Sequence, residues 1–344
     1  MPNLKVFFAT NRRYQPERAD QPFGSAGSDQ GAAALRFGHA EFEAEAKAIQ
    51  RTGLEVYPER LAPDPDPVLG SDRFLAALHR EMHDGSTDTL VFIHGFNVSF
   101  DEALKSAAQL ARDIRIEGRR VNLVLFSWPS DGAMVPYMSY YSDREDARAS
   151  GPALARAFLR LRDFLREDLV SHDPCDRRLH IMTHSMGAYV LRHGLQAIRV
   201  KDPRALVRIF DQILLVAPDE DDDAFETDDK LKLLSQIARQ VTVYFNPNDR
   251  ALAISDITKG NPDRLGSDGP RLVDLIPKKV ELVDCQVCAP SADPKGLHSY
   301  HVNSPALAAD ISAVLMGQQA DQIDNRRYVP SKRAWQIRKE IPAG

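Results

Sequence analysis

Six short apolar runs recur along the chain, at residues 5–10, 89–93, 121–128, 179–183, 209–217 and 241–245, each rich in β-branched or aromatic side chains. They are too continuous for a strand with one wet face, so they predict strands buried on both faces of a largely parallel sheet. A seventh run at 280–287 extends the series, and residues 34–44 predict a weaker, early antiparallel strand. Helical patterns fill the intervals. Ser99 followed by Glu102 has capping-box spacing, after which Ala103, Ala107, Leu110, Ala111 and Ile114 return on one face. Leu154, Phe158, Leu161 and Leu165 make a second stripe, residues 188–198 a third and 307–316 a fourth. Strand and helix in alternation predict an α/β fold, a doubly wound and mostly parallel sheet with helices on both faces.

Three segments interrupt the alternation. Residues 11–30 are polar and glycine-rich, which predicts a long exposed excursion. Residues 129–146, carrying Met134, Tyr137, Met138, Tyr140 and Tyr141, predict either a small lid over a pocket or a loop packed on the flank. Residues 318–344 predict a tail that wraps onto the body or a partner instead of continuing the sheet, which leaves one domain over 1–317.

Composition narrows the class of function. The chain has 344 residues with 43% hydrophobic and 27% charged side chains and a net charge of -5, values of an ordinary globular protein. No basic excess points to nucleic acid. The opening residues lack the basic start of a secretory signal and no apolar stretch reaches the roughly 18 residues of a membrane span, so a cytoplasmic location is expected. Nothing in the sequence sets an oligomeric state. Cys175, Cys285 and Cys288 are too few for a disulfide framework. The Cys285–Cys288 pair lacks a second pair or a suitably spaced histidine for zinc, so buried thiols are expected. From Asp219 to Asp229 the chain has eight acids and no basic residue. Without calcium-loop spacing this run predicts a solvated acidic loop, whose field would disfavour a strongly anionic substrate. No metal and no cofactor is expected.

The chemistry concentrates in two strand ends. In Thr183-His184-Ser185-Met186-Gly187 a strand ends, a serine stands at the corner and small residues open a helix, as a nucleophile elbow requires. The upstream glycine of that pattern is replaced by Thr183, which puts a Cβ into a crowded turn. In His94-Gly95-Phe96-Asn97 a glycine follows an earlier buried strand and allows the backbone to approach a reacting carbonyl. The N–H groups of Phe96 and Met186 are the expected oxyanion donors for attack by Ser185. His94 is expected as an orienting or wall residue of the pocket, with Trp128, Met134, Tyr137 and Met138 as further candidates for its lining.

A serine nucleophile needs a base, and the base needs a carboxylate. Asp249, just past the run at 241–245, and His298, after the last run, fit the chain order serine, acid, histidine. Asp219 is the alternative acid or a support, and His301 the alternative base. The chain resembles the α/β-hydrolase superfamily, and more narrowly a bacterial branch of esterase- and lipase-like proteins without an assigned physiological reaction. The resemblance is carried by His94-Gly95-Phe96-Asn97, Ser127-Trp128-Pro129, Thr183 to Gly187, Ala217-Pro218-Asp219, Asn248-Asp249 and His298-Ser299-Tyr300. It runs from Leu4 to Met316 and implies an α/β-hydrolase sheet. The expected reaction is cleavage of a medium-sized neutral or hydrophobic ester, a small-molecule acyl ester, through an acyl-serine. Acyl transfer, amide cleavage and a non-catalytic interaction protein on the same scaffold are the alternatives.

Overall fold

A computed structural model of the chain describes residues 3–31, 34–45, 48–58, 69–130, 136–168, 175–252, 263–289 and 297–338, and the side chains of 136–139 lie outside the description. Eleven of the strands among these residues form one sheet, in the order β14-β15-β13-β12-β11-β10-β6-β9-β1-β4-β5. Its centre consists of β1 (Asn3–Thr10), β6 (Thr89–Ile93), β9 (Asn122–Ser127), β10 (Leu179–His184), β11 (Phe210–Val216), β12 (Ala238–Phe245) and β13 (Val280–Asp284). Every neighbouring pair of these is parallel.

Alternate residues of the central strands feed two separate cores, because successive side chains of a strand point to opposite faces. Phe7, Ile93, Phe126, Ile181, Leu215 and Val243 pack on one face. There they meet Phe74 and Leu78 of α1 (Gly70–Gly85), Phe158 of α4 (Gly151–Asp168) and Leu195 of α5 (Gly187–Lys201). Phe8, Phe92, Leu125, Met182 and Val216 pack on the other, against Ala103, Leu104 and Ala107 of α2 (Phe100–Asp113) and Leu307 and Ile311 of α9 (Pro305–Leu315). With both faces covered, apolar side chains are needed at every position, which is why these strands read as continuous runs. The capping box at Ser99 is present: its Oγ accepts the Glu102 N–H at 3.3 Å and its own N–H donates to Glu102 at 2.9 Å.

The edges depart from expectation. β4 (Arg36–Ala44) is the antiparallel partner of β1, and beyond it β5 (Ile49–Val56), an element the polar sequence hides, closes that edge. The excursion at 11–30 is anchored by β2 (Arg12–Tyr14) and β3 (Phe23–Gly27). Arg12, far from exposed, is buried and donates to Ser127 Oγ and to the carbonyls of Gly24, Ser130 and Val98. The described part of the predicted tail, residues 318–338, is also not a mere wrap. β15 (Ala334–Ile337) adds in parallel to β13, and β14 (Arg326–Val329) pairs antiparallel with β15. A buried ion pair holds them to α9, Arg326 donating to Asp310 at 2.6 and 2.7 Å. That pair anchors the terminal hairpin beside the otherwise bare edge of β13.

Helix α3 (Pro136–Ala149) occupies the predicted lid segment and is followed at once by α4. Met134 lies outside the described residues, as do the side chains of Tyr137 and Met138. Among the described residues no helix is long and apolar enough to cross a membrane, and no group of three or more His, Cys, Asp or Glu is arranged to hold a metal ion. Cys285 and Cys288 are buried free thiols, and burial pushes the Cys285 pKa well above that of an ordinary thiol.

Candidate active site

The candidate residues lie at the carboxyl ends of the central strands. Ser185 follows β10 directly and takes φ +52°, in the left-handed region where a non-glycine residue is strained. The strain is held by backbone bonds on both sides: Ser185 N–H donates to Val216 at 3.0 Å, and Asp219 N–H donates to the Ser185 carbonyl at 3.1 Å. Close approach is the reason for the glycines. A Cβ on Gly187 would stand 2.4 Å from the Ile93 carbonyl oxygen, and one on Gly95 would stand 2.8 Å from Ser185 Cβ and from His184 Nδ1. Thr183, by contrast, is still within the strand ladder, opposite Ile93 and Leu215, where a side chain is ordinary. Its cost is a buried hydroxyl without a partner.

Asp249 and His298 come together. His298 Nδ1–H donates to Asp249 Oδ2 at 2.7 Å, while the N–H groups of Ala251 and Leu252 donate to Oδ1 at 3.0 and 3.2 Å, so the carboxylate is fixed before it meets the ring. Asn246 Nδ2 holds the Leu297 carbonyl at 3.1 Å, and His184 Nε2–H holds the His298 carbonyl at 3.1 Å. The same His184 lies against the His298 ring, with centroids 4.6 Å apart, and stacks on His301 at 3.8 Å. His301 also lies against Phe92, with ring centroids 5.9 Å apart. Among the described residues Ser185 Oγ makes no hydrogen bond, and the N–H groups of Phe96 and Met186 donate to no acceptor. A cavity of about 290 Å³ between α2 and the His298 loop touches Gly95, Phe96, His184 and His298.

His94 opens the loop after β6. Its Nδ1–H donates to the Gly95 carbonyl at 2.9 Å, its Nε2 accepts the Trp128 N–H at 3.2 Å, and its ring stacks on the Trp128 indole. Burial, with Arg12 nearby, pushes its pKa down to about 3, so the ring is neutral at physiological pH. Trp128 is fully buried with its indole N–H donated to the His94 carbonyl, which places it behind the loop.

Asp219 has other partners. Its Oδ2 accepts the Tyr140 hydroxyl at 2.8 Å, and Arg264 stands 3.8 Å from Oδ1. The acidic run around it is not a solvated loop: Asp219, Glu220 and Asp222 are buried, and the run is met by Arg264 on Asp221, Lys230 on Asp221 and Asp223, Arg192 on Glu220 and Arg271 on Glu226. Arg192, Arg264 and Arg271 come from elsewhere in the chain and Lys230 directly follows the run, so ion pairs offset part of its negative charge. Sequence reasoning also missed Asp143, whose carboxylate on α3 accepts the Asn97 N–H at 3.2 Å and the Ser130 hydroxyl at 2.5 Å.

A doubly wound parallel sheet with a strained serine at a strand-to-helix corner and an Asp–His pair at the same end defines the class of α/β hydrolases. Residues 72–318 match the family described as "Alpha/beta hydrolase of unknown function (DUF900)", and the chain belongs to that family. The uncharacterized protein alr1448 of Nostoc sp. is 29% identical over 131 residues, a match reaching 32% of this chain and only 31% of that protein's length. Among solved structures, an esterase B from Lactobacillus rhamnosis is 12% identical over 93% of this chain and 90% of its own, with a TM-score of 0.38. The peroxisomal α/β-hydrolase of Saccharomyces cerevisiae is 14% identical over 63% of this chain and 44% of its own, with a TM-score of 0.24. Likenesses this loose say nothing of a substrate.

Proposed function

We propose that the protein is a serine hydrolase that cleaves a neutral or hydrophobic carboxylic ester of medium size through an acyl-serine. The observation that carries this reading is the 2.7 Å hydrogen bond from His298 to Asp249 at the strand ends where Ser185 is held at φ +52°. Asp249 fixes the tautomer with Nδ1 protonated, which leaves Nε2 as the base. His298 Nε2 takes the Ser185 proton as Oγ bonds to the ester carbonyl carbon. The N–H groups of Phe96 and Met186 then meet the oxyanion. As the C–O bond to the alcohol breaks, the imidazolium returns that proton to the leaving oxygen. Water, activated by the same Nε2, next attacks the acyl-serine and releases the acid. The Ser185–His298 bond closes with substrate, as such contacts often tighten only in the reacting complex.

Two features bear on the substrate. The cavity on the His298 side mixes Phe92 and Val98 with Gln109 and Asn303, which suits an alcohol of mixed polarity. Arg192 and Arg264 are engaged by the acidic run, and the cavity wall carries Lys105 and Glu102, one charge of each sign. Fluorophosphonate labelling of the intact chain, followed by a panel of p-nitrophenyl esters of rising chain length, tests the reading. The wild type is expected to label and Ser185→Ala is not, with hydrolysis falling by about 10³-fold or more. Labelling that persists unchanged in Ser185→Ala would overturn the assignment.

A further inference from the structure

The two expected oxyanion donors stand on different segments, Phe96 on the loop after β6 and Met186 at the start of α5, both beyond the ends of the paired strands β6 and β10. Helix α3 reaches both. From one side of it the Asp143 carboxylate, fully buried, accepts the Asn97 N–H at 3.2 Å and the Ser130 hydroxyl at 2.5 Å on the same oxygen, Oδ2. Ser130 Oγ in turn accepts the Val98 N–H at 3.2 Å. Two successive N–H groups just past Phe96 are thereby tied to one carboxylate, and Asn97 is held at φ +56°. The Val98 carbonyl is tied in the opposite sense, accepting from Arg12 at 2.9 Å. Three residues earlier on α3, and so on the same helical face, Tyr140 donates to Asp219 at 2.8 Å, and the Asp219 N–H holds the Ser185 carbonyl at 3.1 Å. The Tyr140 ring also meets the Phe96 ring edge-on, with centroids 5.7 Å apart.

We propose that Asp143 and Tyr140 are positioning residues that clasp the oxyanion loop to the nucleophile elbow, so that α3 sets the spacing of the Phe96 and Met186 N–H groups. The inference rests on the hydrolase reading above. It also gives Asp219 a role distinct from that of Asp249: it is the elbow's end of the clasp. Neither α3 residue touches the reacting atoms. Asp143 acts through the Asn97 N–H, next to one donor, and Tyr140 through the Asp219 side chain, whose own N–H holds the Ser185 carbonyl next to the other; a donor displaced by an ångström loses most of its worth to an oxyanion.

The test uses the full chain, with active sites counted by fluorophosphonate titration so that misfolded protein drops out. Tyr140→Phe keeps the ring and removes only the hydroxyl. Its kcat per titrated site is expected to fall about tenfold with KM within about twofold, and affinity for a boronic acid that forms a tetrahedral adduct should fall in parallel. Asp143→Ala is expected to lose about 100-fold in kcat, and Asp143→Asn, which keeps an acceptor oxygen, to recover most of it. Ser130→Ala supplies an independent cut of the loop side if Asp143→Ala fails to fold. A wild type that does not label would sink the parent reading and the clasp together. A wild type that labels, with Tyr140→Phe and Ser130→Ala both at unaltered kcat or altered only in KM, would sink the clasp alone.

Discussion

Asp219 and Asp249 follow neighbouring strands, β11 and β12, and both are buried carboxylates near the same corner, yet their hydrogen bonds assign them different work. Asp249 meets the imidazole, and Asp219 meets a phenol and a guanidinium. Asp249→Asn is therefore expected to lower kcat by about 10³-fold or more, because an amide can donate to Nδ1 and stabilise the wrong tautomer. Asp219→Asn retains an acceptor for Tyr140, and its kcat is expected to stay within about tenfold of wild type. Steady-state kinetics of the two variants on one ester checks the pair, and the reverse ranking would exchange the roles. A further consequence belongs to Gly95. Alanine there would push its Cβ to 2.8 Å from Ser185 Cβ, and the oxyanion loop would have to retreat from the serine. Loss of kcat with a normal folded spectrum is the expected result.

Among elements, the terminal hairpin is the one whose attachment is most concentrated. Arg326 and Asp310 are both buried, and the carboxylate also accepts the Tyr244 hydroxyl at 3.3 Å, so strand β12, helix α9 and the hairpin meet at one charge pair. Asp310→Ala leaves a guanidinium in the interior without its partner and is expected to cost about 3–5 kcal/mol, read as a lower urea midpoint. A midpoint within experimental scatter of wild type would mean that water reaches Arg326. The strands that the sequence hid are edge elements for a physical reason. β5 alternates half-buried and exposed positions and β14 displays Tyr328 to solvent, so neither carries the doubly buried pattern that exposes a central strand, while β15, largely buried, is only four residues long. Helix α3 escaped for another reason. Within its run of arginines and acids, Asp143 has no local signature that separates it from Glu145 or Asp146; only the packing of α3 over the oxyanion loop buries that one carboxylate.

For the molecule as a whole, His94 couples the site to acid stability. Folded, its pKa is pushed down to about 3, below the ordinary value near 6.5, so between those limits the unfolded chain binds a proton that the native protein refuses. Native stability is thus fully expressed above pH 6.5 and declines as the pH falls toward 3. At pH 5 the loss from this one residue is about 2 kcal/mol relative to pH 8. His193, half-buried with Arg192, Arg148 and Arg144 nearby, has its pKa depressed to about 4 and tilts the same way. Thermal midpoints measured from pH 8 to pH 5 should fall more steeply for the wild type than for His94→Gln, whose side chain does not titrate. Equal slopes would show that His94 charges freely in the native state.

What the sequence determined by itself was the sheet and the two strand ends where chemistry gathers. Those depend on local rules: a strand buried on both faces must be apolar throughout, and a backbone that approaches another to within 2.4 Å must be glycine, as at Gly187. The tertiary structure decided which partners those ends receive. His298 and His301 are three residues apart, and Asp219 and Asp249 follow adjacent strands, so the chain order that favours Asp249 and His298 leaves their actual partners open. Those partners come through long-range bonds, His184 and Asn246 on the loop backbone and Asp249 on the ring, whose free energy exists only once distant segments are already packed together.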